Sequence, residues 1–141
     1  MIAVDSNVLI AAHRGEHPLH ERALARLVEV GEGEAPWALP VFCLAEFLRV
    51  VTHPRVFTPP SSLDVALTFL DRLLESPAVR LLSPGTRFWS HLRSVTVAAD
   101  AIGNLAFDAQ IAAVCREHGA DRLITADRDF ARFPDLRLEV P

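Results

Sequence analysis

Four acidic residues in four separate segments carry the chemistry that this sequence could perform. Asp5 follows an apolar Ile-Ala-Val, Glu46 interrupts an apolar run, Asp108 has apolar neighbours, and Asp127 ends the segment Ile-Thr-Ala-Asp. If the fold brings them together, a bound cation is needed to neutralise their negative charge, because burying ionised carboxylates without a cationic partner is unfavourable in free energy. The pattern therefore predicts a metal-dependent enzyme.

Carboxylate oxygens are the ligands that Mg²⁺ and Mn²⁺ prefer, and four acids could hold one or two such ions. A cation in this setting can activate water for attack on a phosphodiester, and a second one stabilises the leaving oxygen. We therefore expect Mg²⁺ or Mn²⁺ as cofactor and nuclease chemistry. A DNA nuclease or phosphatase on the same acids, and a non-catalytic binding module, remain alternatives.

Each acid also has a structural interpretation. Asp5 and Asp127 could be helix N-caps, and Glu46 could pair with Arg49 three residues later. Asp108 is harder to explain, because Asp is unfavourable in a helix interior and its neighbours are apolar. Asn104 lies four residues earlier on the same predicted helix face, which makes it a candidate auxiliary residue.

Composition limits the class of protein. The 141 residues predict a single domain, 1–141, and a net charge of −4 argues against nucleic-acid binding by bulk positive charge. All 14 basic residues are Arg, which disfavours P-loop and other phosphotransfer enzymes that need a Lys. The two cysteines form no CxxC motif, and no apolar run has the length of a membrane span. We expect a cytoplasmic protein with no membrane association.

Hydrophobic periodicity predicts strands that alternate with helices. The predicted strands are 2–4, 37–39, 79–82, 123–125 and 136–140. The first predicted helix begins at Ser6, and five more cover 18–30, 41–52, 63–74, 85–97 and 103–118. One or two further helical turns are predicted at 128–132. This order predicts a three-layer α/β/α sandwich with a central, mostly parallel sheet, in which ligands bind at the carboxyl ends of the strands.

The motifs resemble those of a known family. Val4-Asp5-Ser6-Asn7, Ala45-Glu46-Phe47, the segment 104–113 and the segment 124–130 look like the ordered signatures of PIN domains. The likeness extends over the whole chain and is greatest to the VapC-type toxins of toxin–antitoxin systems.

This resemblance implies a function and a role for each site residue. It implies a metal-dependent endoribonuclease with RNA as substrate, a VapB-like antitoxin as partner, and a homodimer. The catalytic and metal-binding acids would be Asp5, Glu46, Asp108 and Asp127. Asp129 would be an auxiliary acid, and Asn7 and Thr125 would orient their neighbours by hydrogen bonds.

Other side chains near the acidic segments could contact substrate. Arg14 and Arg128 are candidates for binding RNA phosphates. The spacing of His13, His17 and His20 is compatible with zinc, but no Cys or HExxH motif accompanies them. A structural role is the stronger interpretation, and contact with substrate is favoured over zinc. Trp89 is predicted to lie in the core or in a partner interface.

Overall fold

The computed structural model describes all 141 residues, in which five strands alternate with six helices. The strands are β1 (Ile2–Val4), β2 (Trp37–Pro40), β3 (Val79–Leu82), β4 (Arg122–Ile124) and β5 (Arg137–Glu139). The helices are α1 (Ser6–His13), α2 (His20–Glu32), α3 (Val41–Val51), α4 (Leu63–Leu74), α5 (Phe88–Ala99) and α6 (Leu105–His118), with a 3-10 turn at Arg128–Arg132.

All five strands form one sheet in the order β3-β2-β1-β4-β5, and every neighbouring pair is parallel. Parallel strands need crossover connections, which are right-handed in nearly all proteins. The chain moves from β1 through β2 to β3, and then returns across the sheet to β4 and β5. The first four helices therefore cover one face and α5 and α6 the other, which confirms the predicted three-layer architecture.

The middle of the sheet is buried on both faces. Every residue of β1 and β2 is buried, as expected for parallel strands covered by helices. The largest fully buried side chains are Trp37 of β2, Phe47 of α3 and Phe130 of the 3-10 turn. Each such side chain contributes roughly 1.5–3 kcal/mol through removal of apolar surface from water. This core holds the ends of β1 and β4 in fixed positions.

Two predicted helices are displaced by about two residues. The region before α5 is a turn, because the Glu117 carboxylate accepts the backbone N–H groups of Gly85 (2.9 Å) and Arg87 (3.0 Å). Helix α2 continues through Gly31 and ends at Glu32, and the N–H of the C-cap residue Gly33 donates to the carbonyl of Glu29. Both differences come from hydrogen bonds that periodicity does not encode.

No helix combines the length and apolar character needed to cross a bilayer.

Candidate active site

Strands β1 and β4 lie side by side and define the candidate site. Val4 is in register with Ile124, and the Asp5 N–H donates to the Ile124 carbonyl at 3.1 Å. From this pair the chain continues to β2 on one side and to β5 on the other, which makes it the point where the strand order reverses. The crevice at such a point is where open parallel sheets bind ligands.

Asp5 is the innermost acid, with only 3% of its surface exposed. Its carboxylate accepts hydrogen bonds from the Ser6 N–H (2.7 Å), Asn7 Nδ2 (2.6 Å) and Thr125 Oγ1 (2.7 Å). The Ser6 contact makes Asp5 the N-cap of α1, so the capping interpretation is correct. These contacts fix the orientation of the carboxylate at the end of β1, which a cap alone would not require.

Asn7 and Thr125 join the segments that follow β1 and β4. Asn7 Nδ2 donates to Thr125 Oγ1 at 2.9 Å, and Asn7 Oδ1 accepts the N–H of Ala126 at 3.1 Å. Thr125 Oγ1 also accepts the N–H of Asp127 at 3.0 Å. A continuous set of hydrogen bonds therefore runs from Asp5 through these two side chains to the backbone that carries Asp127.

Three further aspartates form a compact group. Asp108, Asp127 and Asp129 each offer a carboxylate oxygen, and these oxygens lie within 4.8 Å of one another. Asp127 caps the 3-10 turn by accepting the N–H of Asp129 at 2.8 Å, which turns the chain back and brings the two carboxylates together. Asp129, predicted only as an auxiliary acid, is thus part of the tightest group.

Asp108 lies in the first turn of α6 and not in the helix interior, so the argument that its position is unfavourable was wrong. A carboxylate in the first turn is favoured by the helix dipole. Asn104 is the exposed N-cap residue of α6 and makes no side-chain hydrogen bond to the helix or to any of the acids. The structure provides no contact through which Asn104 could assist the site.

The electrostatics show that the acids influence one another. Burial, and after it the negative charges of Asp127, Asp5, Asp129 and Glu46, together raise the pKa of Asp108 from its ordinary value of 3.8 to about 7. Burial also raises the pKa of Asp5 from 3.8 to about 6, although its bonds from Thr125 and Ser6 oppose this change. The carboxylates therefore share one strongly negative environment.

No cation of the chain neutralises these acids. Glu46 is partly buried in α3 and forms no ion pair, so the alternative interpretation of this residue, a pair with Arg49, does not hold. Arg128, directly after Asp127, is exposed and makes no ion pair either. It stays a candidate for contact with substrate.

Arg14 has a structural environment that does not support the prediction of phosphate binding. Its guanidinium donates to Glu16 Oε1 (2.9 Å), Ser61 Oγ (2.9 Å) and the Pro59 carbonyl (2.8 Å), and it lies over the Phe57 ring. These contacts hold the loop after α3 against the end of α1, about 12 Å from Asp5 at 1.5 Å per helical residue. Its donors are used within the fold.

The three histidines do not form a zinc site. His13 bonds Ser61 Oγ, His17 accepts the N–H of Leu19, and His20 bonds the Ala11 carbonyl. Each ring is engaged in a separate local contact near the ends of α1 and α2. The one group that could hold a metal ion is the aspartate group at the sheet edge.

Sequence reasoning missed one neighbour of Asp5. The Cys43 thiol of α3 lies 3.9 Å from Asp5 Oδ1, a distance compatible with a weak S–H donor. Burial raises the pKa of this thiol well above its usual range, and the Asp5 charge acts in the same direction, so it stays protonated. No sequence pattern indicates this contact, since it depends on how α3 packs against α1.

Comparison with known proteins gives consistent results. The family model for the PIN domain matches residues 2–136. Ribonuclease VapC43 of Mycobacterium tuberculosis is 43% identical over 141 residues, which cover all of this chain and 95% of the relative. Ribonuclease VapC25 of the same organism is 37% identical over 137 residues, which cover 97% of this chain and 96% of the relative.

Solved structures share the fold at lower sequence identity. VapBC2 from Rickettsia felis, bound to a DNA fragment from its promoter, has a TM-score of 0.72 and 21% identity, covering 99% of this chain and 98% of its own. VapC20 of Mycobacterium tuberculosis, described as a sarcin–ricin loop cleaving toxin, has a TM-score of 0.69 and 18% identity, covering 93% of each chain. At these identities the structural likeness shows the fold.

Proposed function

The chain belongs to the PIN-domain family, among its VapC ribonucleases, and we propose that it is a metal-dependent endoribonuclease that acts as the toxin of a toxin–antitoxin pair. The observation that carries this proposal is the group of Asp108, Asp127 and Asp129, which is under the electrostatic influence of Asp5 and Glu46 and has no cation from the chain beside it. Full-length similarity to named ribonucleases supports RNA as the substrate.

The donor set fits a hard divalent cation. Asp108, Asp127 and Asp129 provide only oxygen ligands, with no histidine or cysteine in the group, as Mg²⁺ and Mn²⁺ prefer. Their repulsion and the raised pKa of Asp108 mean that a bound cation would stabilise the ionised acids. We assign cation binding to this group together with Asp5 and Glu46, which influence the pKa of Asp108.

In the proposed reaction, the residues of this chain bind and orient the reacting groups. When bound, the cation supplies charge neutralisation and Lewis-acid activation of water for in-line attack on the phosphodiester. Asp5, held by Asn7, Thr125 and Ser6, presents a carboxylate in one fixed orientation. Thr125 also holds the backbone N–H of Asp127, so the ligands after β1 and β4 keep their relative positions. Arg128, exposed and free, is proposed to contact an RNA phosphate.

Partners and location follow from the family. We propose a VapB-like antitoxin as the cognate partner, since the similar structure from Rickettsia felis is a VapBC2 complex. A homodimer and a cytoplasmic location are also proposed, the latter in keeping with two buried cysteines that form no disulfide. We further propose that residues 1–141 act as one domain, because a single hydrophobic cluster connects all parts of the sheet.

Cleavage of a mixed substrate panel tests this proposal. Antitoxin-free protein is incubated with structured RNA, unstructured RNA and DNA, in Mg²⁺, in Mn²⁺ and with chelator. We expect cleavage of at least one RNA with either cation, and none with chelator or of DNA. Cutting of DNA alone would indicate a DNA nuclease, and cutting that persists with chelator would contradict metal dependence.

A further inference from the structure

A cavity of about 340 Å³ lies between α5, the C-terminal half of α6 and the segment that precedes β5. Val95, Ala112, Phe133 and Leu136 line this α5–α6 cavity, and all four are buried apolar residues. Sites for small molecules have volumes of roughly 300–1,000 Å³ and mainly apolar walls with a few polar groups. The cavity therefore has the size and character of a site for a small ligand. It is separate from Trp89, which is 68% exposed and is not a core residue.

The charged residues of the cavity favour an anionic ligand. Two arginines and two aspartates line it, and three of these four side chains have partners of opposite charge. Asp121 pairs with Arg137 at 2.6 Å and with the N-terminal ammonium at 3.2 Å, and Arg116 lies 3.4 Å from Asp135. Arg132 forms no ion pair. One positive charge at the cavity is therefore left without a partner.

The Arg132 guanidinium is held in place and keeps free donors. One of its amino groups donates to the Ala99 carbonyl at the end of α5, and a guanidinium has several further N–H donors. Its planar fork matches a carboxylate in a bidentate geometry. The apolar walls need an apolar group beside this carboxylate, and the Phe133 ring among them favours an aromatic one.

The elements that carry the aspartate group also form walls of this cavity. Ala112 follows Asp108 by four residues in α6, so the two side chains lie on the same helix face, about 6 Å apart along the axis. Arg132 ends the 3-10 turn that Asp127 caps and that carries Asp129. A ligand in the cavity would therefore contact both elements that hold the acids.

We infer that the α5–α6 cavity binds a small carboxylate with an aromatic body, and that this ligand strengthens cation binding by the aspartate group. The carboxylate accepts hydrogen bonds from Arg132, and the aromatic body packs against Phe133 and Ala112. The ligand thus joins the 3-10 turn to α6 and restricts the motion of Asp129 relative to Asp108. Less ordering is then left for the cation to impose, so its affinity rises. The site itself is independent of the proposed function, whereas its effect on the cation rests on that function.

Other classes of ligand match the cavity less well. A cation would find both aspartates already paired. Inorganic phosphate would leave the apolar walls uncovered, and a neutral aromatic molecule would leave Arg132 without a carboxylate. An oligonucleotide would bring several phosphates to a cavity that has one unpaired cation.

Calorimetric titration with cinnamate, a small aromatic carboxylate, tests the site. Antitoxin-free protein with chelator present is titrated with cinnamate, with its neutral analogue cinnamide and with inorganic phosphate. We expect saturable binding of one cinnamate per chain. Cinnamide and phosphate should each bind at least tenfold more weakly, because cinnamide lacks the charge that pairs with Arg132 and phosphate lacks the apolar body.

Matched variants locate the binding. Arg132→Met removes the cation and should weaken cinnamate binding at least tenfold, whereas Arg132→Lys keeps the charge and should weaken it less. Ala98 lines the cavity and is exposed, so Ala98→Leu should fold normally and exclude the ligand by occupying its space. Arg72→Met, on α4 at the other face of the sheet, is the control and should bind cinnamate like the wild type. Circular dichroism shows that each variant is folded.

A second titration measures the effect on the cation. Mn²⁺ binding is measured with and without saturating cinnamate, and we expect about fivefold or higher affinity in its presence. By reciprocity, Mn²⁺ should raise the affinity for cinnamate by the same factor. In Ala98→Leu, cinnamate should leave Mn²⁺ binding unchanged.

Several outcomes would overturn the inference. These are the absence of saturable cinnamate binding by the wild type, equal binding of cinnamide, or unchanged binding in both Arg132→Met and Ala98→Leu. If cinnamate bound in the cavity and left the Mn²⁺ affinity unchanged, the inferred effect on the cation would be wrong. Cinnamate binding with chelator present does not depend on cleavage or on a cation, so failure of the site and failure of the proposed function are separable.

Discussion

Aspartates near the two ends of β4 lie in opposite electrostatic environments. Asp121, just before the strand, accepts bonds from Arg137 (2.6 Å) and the N-terminal ammonium (3.2 Å), which lower its pKa from 3.8 to about 2. Beyond the other end, burial and neighbouring acids raise the pKa of Asp108 to about 7. The same residue type is thus stabilised as an anion at one end of the sheet and destabilised as an anion at the other.

The contrast extends to other acids. Glu139 of β5, in register with Ile124 at the carboxyl edge of the sheet, is paired, because its carboxylate accepts bonds from Arg26 at 2.5 Å and Arg122 at 3.2 Å. Within the candidate site, Asp5 and Glu46 have no cationic partner. The chain neutralises its acids where they only support the fold and leaves them unneutralised where a ligand can enter. Uncompensated charge, more than acidity itself, marks the candidate site.

Removing one of the unpaired acids should have the largest effect on activity. Asp5→Asn and Asp108→Asn should each lower RNA cleavage by about 10²–10³-fold or more, because a ligand that positions the cation is lost. Both variants should fold, since Asn is also an N-cap residue and a repelling charge is removed. The matched control is Asp121→Asn, which removes a paired acid and should cleave at the wild-type rate. Equal losses in all three variants would contradict the comparison.

The pH dependence of stability should have opposite signs at the two ends. The folded metal-free protein retains protons on Asp5 and Asp108 that the unfolded chain has lost, so its free energy of unfolding should decrease as pH rises from about 4 to about 7. The raised pKa of Asp5 alone accounts for roughly 3 kcal/mol of this decrease, at about 1.4 kcal/mol per pKa unit. Asp121 instead loses its stabilising contribution as pH falls from 3.8 toward about 2.

Urea unfolding of metal-free protein across this pH range measures the effect. Asp108→Asn should flatten the decrease between pH 4 and pH 7, and a saturating divalent cation should offset it at the upper end. The free energy of unfolding of the wild type with chelator present could instead increase from pH 4 to pH 7. That result would show that the acids are not under mutual repulsion.

Removing the hydrogen bonds between the segments that follow β1 and β4 should have a smaller effect on RNA cleavage. Asn7→Ala removes the donors to Asp5 and Thr125 and the acceptor for the Ala126 N–H. Loss of such supporting contacts costs about 10–100-fold in metal affinity or activity. The Asn7→Ala variant should need a higher Mg²⁺ concentration for half-maximal cleavage and should recover activity at high Mg²⁺. The Asp108→Asn variant should not recover. Cleavage kinetics against Mg²⁺ concentration distinguish the two behaviours.

Much of the fold was predictable because the central strands β1, β2 and β4 are short, mainly apolar and largely buried. The ends of β1 and β4 follow from hydrophobic runs, and this was enough to place Asp5 and Asp127 at one edge of the sheet. Asp129 was underestimated, since its position depends on the 3-10 turn capped by Asp127. Arg14 was misjudged because its partners, Pro59 and Ser61, lie more than forty residues away in the sequence. Contacts of this range are set by packing and have no local pattern.

The most direct test of the central claim is a titration of antitoxin-free protein with Mn²⁺, followed by electron paramagnetic resonance of the free ion. We expect binding of one or two ions, loss of at least one in Asp108→Asn, and unchanged binding in Asp121→Asn. If the wild type bound no Mn²⁺ at neutral pH, or if Asp108→Asn bound it as well as the wild type does, the unpaired acids would not be a cation site and the account would be wrong.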